Sequence, residues 1–153
     1  MIGEKKKKLV FIGADHAGFK AKEDLKAYLQ QKGFEVTDLG CFTEESCDYP
    51  DVAREVGEKV VEHPESFGVL ICGTGIGVAM AVNKFKDIRA VNAVTAEMAE
   101  MARKHNNANV LTMGARLTDI DAMKKIADKF FETDFENGEE RHVRRVEKLS
   151  HIG

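Results

Sequence analysis

Long apolar runs are missing from this 153-residue chain, which excludes a membrane-spanning helix. The basic lead-in from Met1 to Lys8 is followed by only four apolar residues, Leu9 to Ile12, too few for the core of a secretory signal. A cytoplasmic protein is therefore expected, with the lysine run a solvated approach to the first strand. Cysteine is scarce. Cys41, Cys47 and Cys72 make neither an even disulfide set nor a CxxC pair, so free thiols in a reducing compartment are the simplest expectation. An excess of one charge is lacking too. A net charge of −3 gives a general nucleic-acid role no electrostatic support. No linker-like stretch or internal repeat divides the chain. Residues 1–153 read as one domain, long enough for a sizeable core.

What is present is an alternation of strand and helix patterns. Strands are expected at 9–12, 34–37, 69–72, 88–94 and 109–113. Ala17 to Gln31 reads as a helix with Phe19, Leu25, Tyr28 and Leu29 at inward spacings and Gly33 as its stop. Further helices are expected from Pro50 to Glu62 and from Val78 to Phe85. Another runs from a Thr95 cap to His105, which Asn106 and Asn107 end. The next runs to Phe131 behind a Thr118-x-x-Asp121 capping box, and the last spans Glu139 to Leu149. Five strands joined by helical crossovers imply an α/β fold. It would be a three-layer, Rossmann-like or flavodoxin-like sandwich, with a five-stranded parallel sheet and helices on both faces. Ligands in such sheets bind beyond the carboxyl ends of the strands.

Gly68 to Gly77 is the most informative stretch. A strand pattern ends in Cys72, three glycines follow at positions 73, 75 and 77, and a helix pattern begins. A glycine turn between strand and helix offers backbone N–H groups to an anion or a developing oxyanion. Cys72 at its mouth is either a buried core thiol or a base or nucleophile activated beside a helix start. Nucleotide motifs come close and miss. Gly13 to Gly18 has the first spacing of a P-loop, with Phe19 where lysine belongs. The third glycine of the 73–77 loop comes one residue early for a dinucleotide fingerprint, and Val78 stands where a C-x5-R phosphatase loop needs arginine.

Other residues carry two readings each. Asp15 suits a helix N-cap or a ligand contact, and His16 a phosphate donor or a solvated histidine. His105 at a helix end suits a general acid or a surface position. Arg141 and Arg145, four apart, share a helical face that can grip a phosphate or remain a solvated basic tail. Tyr49, in Asp48-Tyr49-Pro50, lines a pocket or packs. The spacing of His16, Cys72 and His105 matches no zinc pattern.

These motifs together resemble the ribose-5-phosphate isomerase type B family, which includes galactose-6-phosphate and allose-6-phosphate isomerases. The resemblance runs from Leu9 to about Val146. It rests on Gly13 to Lys20, Asp48-Tyr49-Pro50, Cys72 to Gly77, Asn83-Lys84, His105-Asn106 with Asn109-Val110, Gly114 to Arg116, and Arg141-His142 with Arg145-Val146. It implies an aldose–ketose isomerase, most simply of ribose 5-phosphate and ribulose 5-phosphate. A six-carbon sugar phosphate is the first alternative and a flavodoxin-like nucleotide-binding module a more distant one.

By position, the resemblance makes Cys72 the base that moves a proton between C1 and C2. Thr74 would lie near the reacting oxygens, and Gly73, Gly75, Ile76 and Gly77 would hold the enediolate. His105 would open the furanose ring, with Asn106 beside it. Asp15, His16, Tyr49, Arg116, Arg141 and Arg145 would bind substrate, the arginines mainly at the phosphate. One branch of the family uses a glutamate just after the last loop glycine; Val78 and Cys72 place this chain in the cysteine branch. The resemblance also implies a homodimer or larger assembly, with His105 completing a neighbour's site, and neither metal nor organic cofactor.

Overall fold

Five short segments form the strands β1 Leu9–Ala14, β2 Glu35–Asp38, β3 Phe67–Cys72, β4 Ala90–Asn92 and β5 Val110–Gly114. They belong to a computed structural model whose described residues are 7–153. Most of the basic lead-in, residues 1–6, lies outside the described residues. The strands pair only in parallel, in the order β2-β1-β3-β5-β4. Six helices connect and follow them: α1 Phe19–Gln31, α2 Tyr49–Glu62, α3 Ile76–Val82, α4 Ala96–Asn106, α5 Ile120–Glu132 and α6 Glu140–Leu149. A 3₁₀ turn, His16–Gly18, leads into α1.

Strand alternation sorts the core into two layers. Val10, Ile12, Val69, Ile71, Leu111 and Met113 face α1, α4 and α5, while Phe11, Leu70, Cys72 and Val110 face α2 and α3. The helices match with apolar stripes at helical spacing, Met123-Ile126-Ala127-Phe130 on α5 and Val52-Val56-Val60 on α2. The steps from β1 to β2 and from β4 to β5 move one way across the sheet, and their helices cover the first face. The steps from β2 to β3 and from β3 to β4 move the other way, with helices on the second. A single hand of crossover therefore produces both outer layers.

The short edge strand β4 is partly shielded by Asn83. Its amide accepts from Ala90 N–H at 2.8 Å and donates to the Ala90 carbonyl at 3.1 Å, as a neighbouring strand would.

Most expected elements are present, and the α/β sandwich is as read from the sequence. Four readings need correction. Cys41 and Cys47 are not free thiols but a disulfide pair, leaving Cys72 as the free cysteine. A six-residue separation in a polar loop carried no signal that the chain doubles back there. Thr118 does not cap α5: Asp119 does, its carboxylate accepting from Ala122 N–H at 2.8 Å. α3 begins two residues earlier than expected, at Ile76, and ends at Val82. The fourth strand is confined to 90–92, because Ile88 and Arg89 belong to the turn that Asn109, just before β5, holds.

Candidate active site

Every strand runs from the same amino edge of the sheet to the same carboxyl edge, so loops after the strands gather at one end. Asp15 follows β1, and its N–H donates to the Ile71 carbonyl at 3.2 Å, next to Cys72. Its carboxylate caps the turn, accepting from Ala17 N–H at 3.0 Å and Gly18 N–H at 3.1 Å. The N-cap reading thus holds, with the residue still at the mouth of the site. His16 accepts the Cys47 N–H on Nδ1 at 3.3 Å. A neutral His16 ring then carries its proton on Nε2, free to donate to an anion.

Cys72 ends β3 and is 5% exposed. The Gly75 N–H donates to its sulfur at 3.1 Å, so sulfur is the acceptor. Thr74 Oγ1 accepts from Ile76 N–H at 3.2 Å. Gly75 has φ +80°, the left-handed conformation that turns successive N–H groups inward. Two other loop glycines serve as seats. The Arg116 side chain lies against Gly73, and the Tyr49 ring lies against Gly77. Arg116 is placed by its own N–H, which donates to the Gly73 carbonyl at 2.9 Å. The structure therefore brings together Asp15, His16, Tyr49, Cys72, the 73–77 loop and Arg116.

It does not bring His105, Asn106, Arg141 or Arg145 to them. α4 runs back from the carboxyl edge for 11 residues, about 16 Å at 1.5 Å per residue, and leaves His105 at the amino edge. There its Nε2 is 3.5 Å from a Glu136 carboxylate, and its ring centroid is 4.6 Å from that of His142. Arg141 and Arg145 sit on exposed positions of α6, the helix that supplies His142, with Arg141 Nε 3.7 Å from Glu139. The residues expected to act as one site are split between opposite edges of one sheet.

Two residues near the loop carried no signal in the sequence reading. Thr112 of β5 and Asn92 of β4 both touch the loop backbone. A hydroxyl inside the apolar run Val110–Met113 was the available cue. Among the described residues no group of three His, Cys, Asp or Glu side chains is placed to hold a metal ion. No helix among them is long and apolar enough to cross a membrane.

Residues 10–149 match a family model described as Ribose/Galactose Isomerase. The chain belongs to the ribose/galactose isomerase family. It is 40% identical over 146 residues to ribose-5-phosphate isomerase B of Escherichia coli strain K12, covering 95% of this chain and 96% of that protein. A solved ribose 5-phosphate isomerase from Thermotoga maritima matches with TM-score 0.90 at 42% identity, over 95% of this chain and 99% of that one. Ribose-5-phosphate isomerase B of Mycoplasma genitalium, solved with bound ribulose-5-phosphate, matches with TM-score 0.88 at 41% identity, over 93% of each chain. The resemblance read from the motifs is therefore confirmed at the level of family and fold.

Proposed function

We propose that this chain interconverts ribose 5-phosphate and ribulose 5-phosphate. The observation that carries the reading is Cys72 Sγ, at a strand end, 3.1 Å from the N–H of a left-handed glycine in the following loop. Isomerisation removes a proton from the carbon next to a carbonyl, so it needs a base and donors fixed where negative charge develops. Cys72 takes the proton from C2 of the open-chain aldose and returns it to C1 of the ketose. The loop N–H groups and Thr74 hold the enediolate oxygens between the two transfers. Arg116 and Tyr49 flank the sugar.

A second copy supplies what the first lacks. His105 and Asn106 of one chain open the furanose ring in the site of another, and its Arg141 and Arg145 join His16 on the phosphate. Exposed apolar side chains support such an assembly: Met80 is 68% exposed, and Ile76, Val94, Met98 and Met101 are also exposed, all near the β4 edge. A cavity of about 670 Å³ is also consistent with this. It lies beside β4, lined by Arg89, Asn92, Asn106 and Ile152 among others, rather than over Cys72. A half-site remains open until a partner closes it.

Ribose 5-phosphate labelled with deuterium at C2 tests the reading. Turnover to ribulose 5-phosphate, with the label lost to solvent or carried to C1, is the expected result. Comparing kcat/KM with allose and galactose 6-phosphates fixes the substrate length. No turnover of any of the three ends the proposal.

A further inference from the structure

A loop can aim its N–H groups at a substrate only if its carbonyls are tied back on the other side. Four successive carbonyls here are all taken. Cys72 and Gly73 carbonyls accept from Ala115 N–H and Arg116 N–H, each at 2.9 Å. Those two bonds come from the backbone of the turn just after β5. The next two come from side chains. The Thr74 carbonyl accepts from Asn92 Nδ2 at 3.5 Å, and the Gly75 carbonyl accepts from the Thr112 hydroxyl at 2.9 Å. The Gly75 carbonyl also receives the first turn of α3, from Ala79 N–H at 3.3 Å.

Thr112 is fully buried, and Asn92 is its register partner on β4. The Thr112 hydroxyl lies 3.1 Å from Asn92 Oδ1 as well, so one proton serves two acceptors and couples the pair. The opposite side of the same peptides is free. Gly73 N–H and Thr74 N–H have no hydrogen-bond partner among the described residues, Gly75 N–H is turned to Cys72, and Ile76 N–H to the Thr74 hydroxyl.

We propose that Thr112, supported by Asn92, is a positioning residue for the isomerisation. It touches no substrate. By gripping the Gly75 carbonyl from behind, it fixes the Gly75–Ile76 peptide, whose N–H holds Thr74 Oγ1, while Asn92 on the preceding Thr74 carbonyl keeps the Gly75 N–H on Cys72; together they hold the loop N–H groups on the enediolate. A small rotation of these peptides would misdirect them at the moment charge develops while leaving the sugar and phosphate contacts in place. The inference rests on the proposed isomerase reading of the same loop.

Thr112→Val keeps the side-chain shape and removes the donor. The expected result is a kcat lower by about ten- to a hundredfold, with KM within about twofold. Thr112→Ser keeps the hydroxyl and should hold kcat within about threefold of the unaltered chain. A merely structural threonine would not give that split: its loss would alter the urea unfolding midpoint without a selective loss of kcat. Unchanged kcat in Thr112→Val overturns the inference, as does a rise in KM alone or a Ser variant as slow as the Val variant. If Thr112→Val does not fold, Asn92→Ala decides: lower kcat at unchanged KM supports the grip, and unchanged kcat overturns it. The unaltered chain is assayed first. Its failure to turn over ribose 5-phosphate removes the proposed function itself, whereas an active chain with an indifferent Thr112→Val variant removes only this inference.

Discussion

His142 is packed beneath His105, their ring centroids 4.6 Å apart, at the edge of the sheet opposite Cys72. The His142 ring is buried, and its Nδ1 has no hydrogen-bond partner among the described residues. With Glu136 on the other side, His105 is held at the amino edge and is not free to swing toward its own chain's cysteine. On the proposed reading, catalysis by both residues then requires two copies. Mixing Cys72→Ala subunits with His105→Ala subunits should restore activity that neither shows alone. In a dimer, random exchange makes half the molecules mixed, each with one intact site, so recovery should approach about a quarter of the unaltered rate. Mixed dimers isolated by two different tags and still inactive would place both residues within one subunit.

Cys72 itself gives the simplest kinetic test. Removing a general base costs about 10²- to 10⁴-fold in rate. On the proposed reading, Cys72→Ala should lose kcat on that scale, while ribose 5-phosphate binding is retained. The side chain is small and its burial modest in area, so thermal stability should change by no more than about 1.5 kcal/mol. Equilibrium dialysis of the sugar phosphate against the variant checks binding. A variant with near-normal kcat would show that another group carries the proton.

The sequence made the carboxyl-edge half of the site legible for a physical reason. Short apolar runs followed by Asp15-His16 or by Cys72 and alternating glycines announce both the strand and the turn that ends it. The relation of the two halves was not legible from the residues. His105 at a helix end looks the same whether its helix returns toward Cys72 or away from it, and only the sheet order settles that. Thr112 was hidden because threonine is an ordinary strand residue, and its hydroxyl gains meaning only from the Gly75 carbonyl beside it. Lys22 was hidden likewise. A lysine on a helix is expected in water, yet this one is fully buried. The Cys41–Cys47 pair depended on a loop path that no periodicity describes.

Gly75→Ala tests the loop's backbone directly. At φ +80° an added Cβ is strained by about 1–2 kcal/mol, and it would meet Asn92 Oδ1 and the Met113 carbonyl carbon, the latter at 2.8 Å. Both obstacles are set in the sheet, so the loop must move. A displacement of this kind should lower kcat by about a hundredfold. Gly138→Ala is the control: nothing lies within 4 Å of its Cβ position, and its effect on stability should stay within about 0.5 kcal/mol. Equal kcat values for the two variants would show that loop geometry does not limit the reaction.

Lys22 and Asp38 make the last test, of stability rather than rate. The Lys22 ammonium, with no exposed side-chain surface, lies 2.8 Å from both Asp38 oxygens and donates to the Cys41 carbonyl at 2.8 Å. It thereby ties the end of β2 to the 41–47 loop that contacts His16. Burial pushes the Asp38 carboxyl upward, but Lys22, Lys26 and the Gly40 N–H outweigh it, and the group titrates below its ordinary value. A carboxylate lowered on folding contributes stability that is fully present above its unfolded pKa of about 3.9. That contribution is lost as pH falls through the lower folded value, because the unfolded chain then binds the proton first. Urea unfolding between pH 7 and pH 2 should show this decline in the unaltered chain. Asp38→Asn should flatten it and lower stability at pH 7. Lys22→Met keeps the buried stem and leaves Asp38 only Lys26 and the Gly40 N–H, so it should cost about 3 kcal/mol at pH 7. An Asp38→Asn variant with the same acid slope as the unaltered chain would show that other carboxylates govern the acid limb.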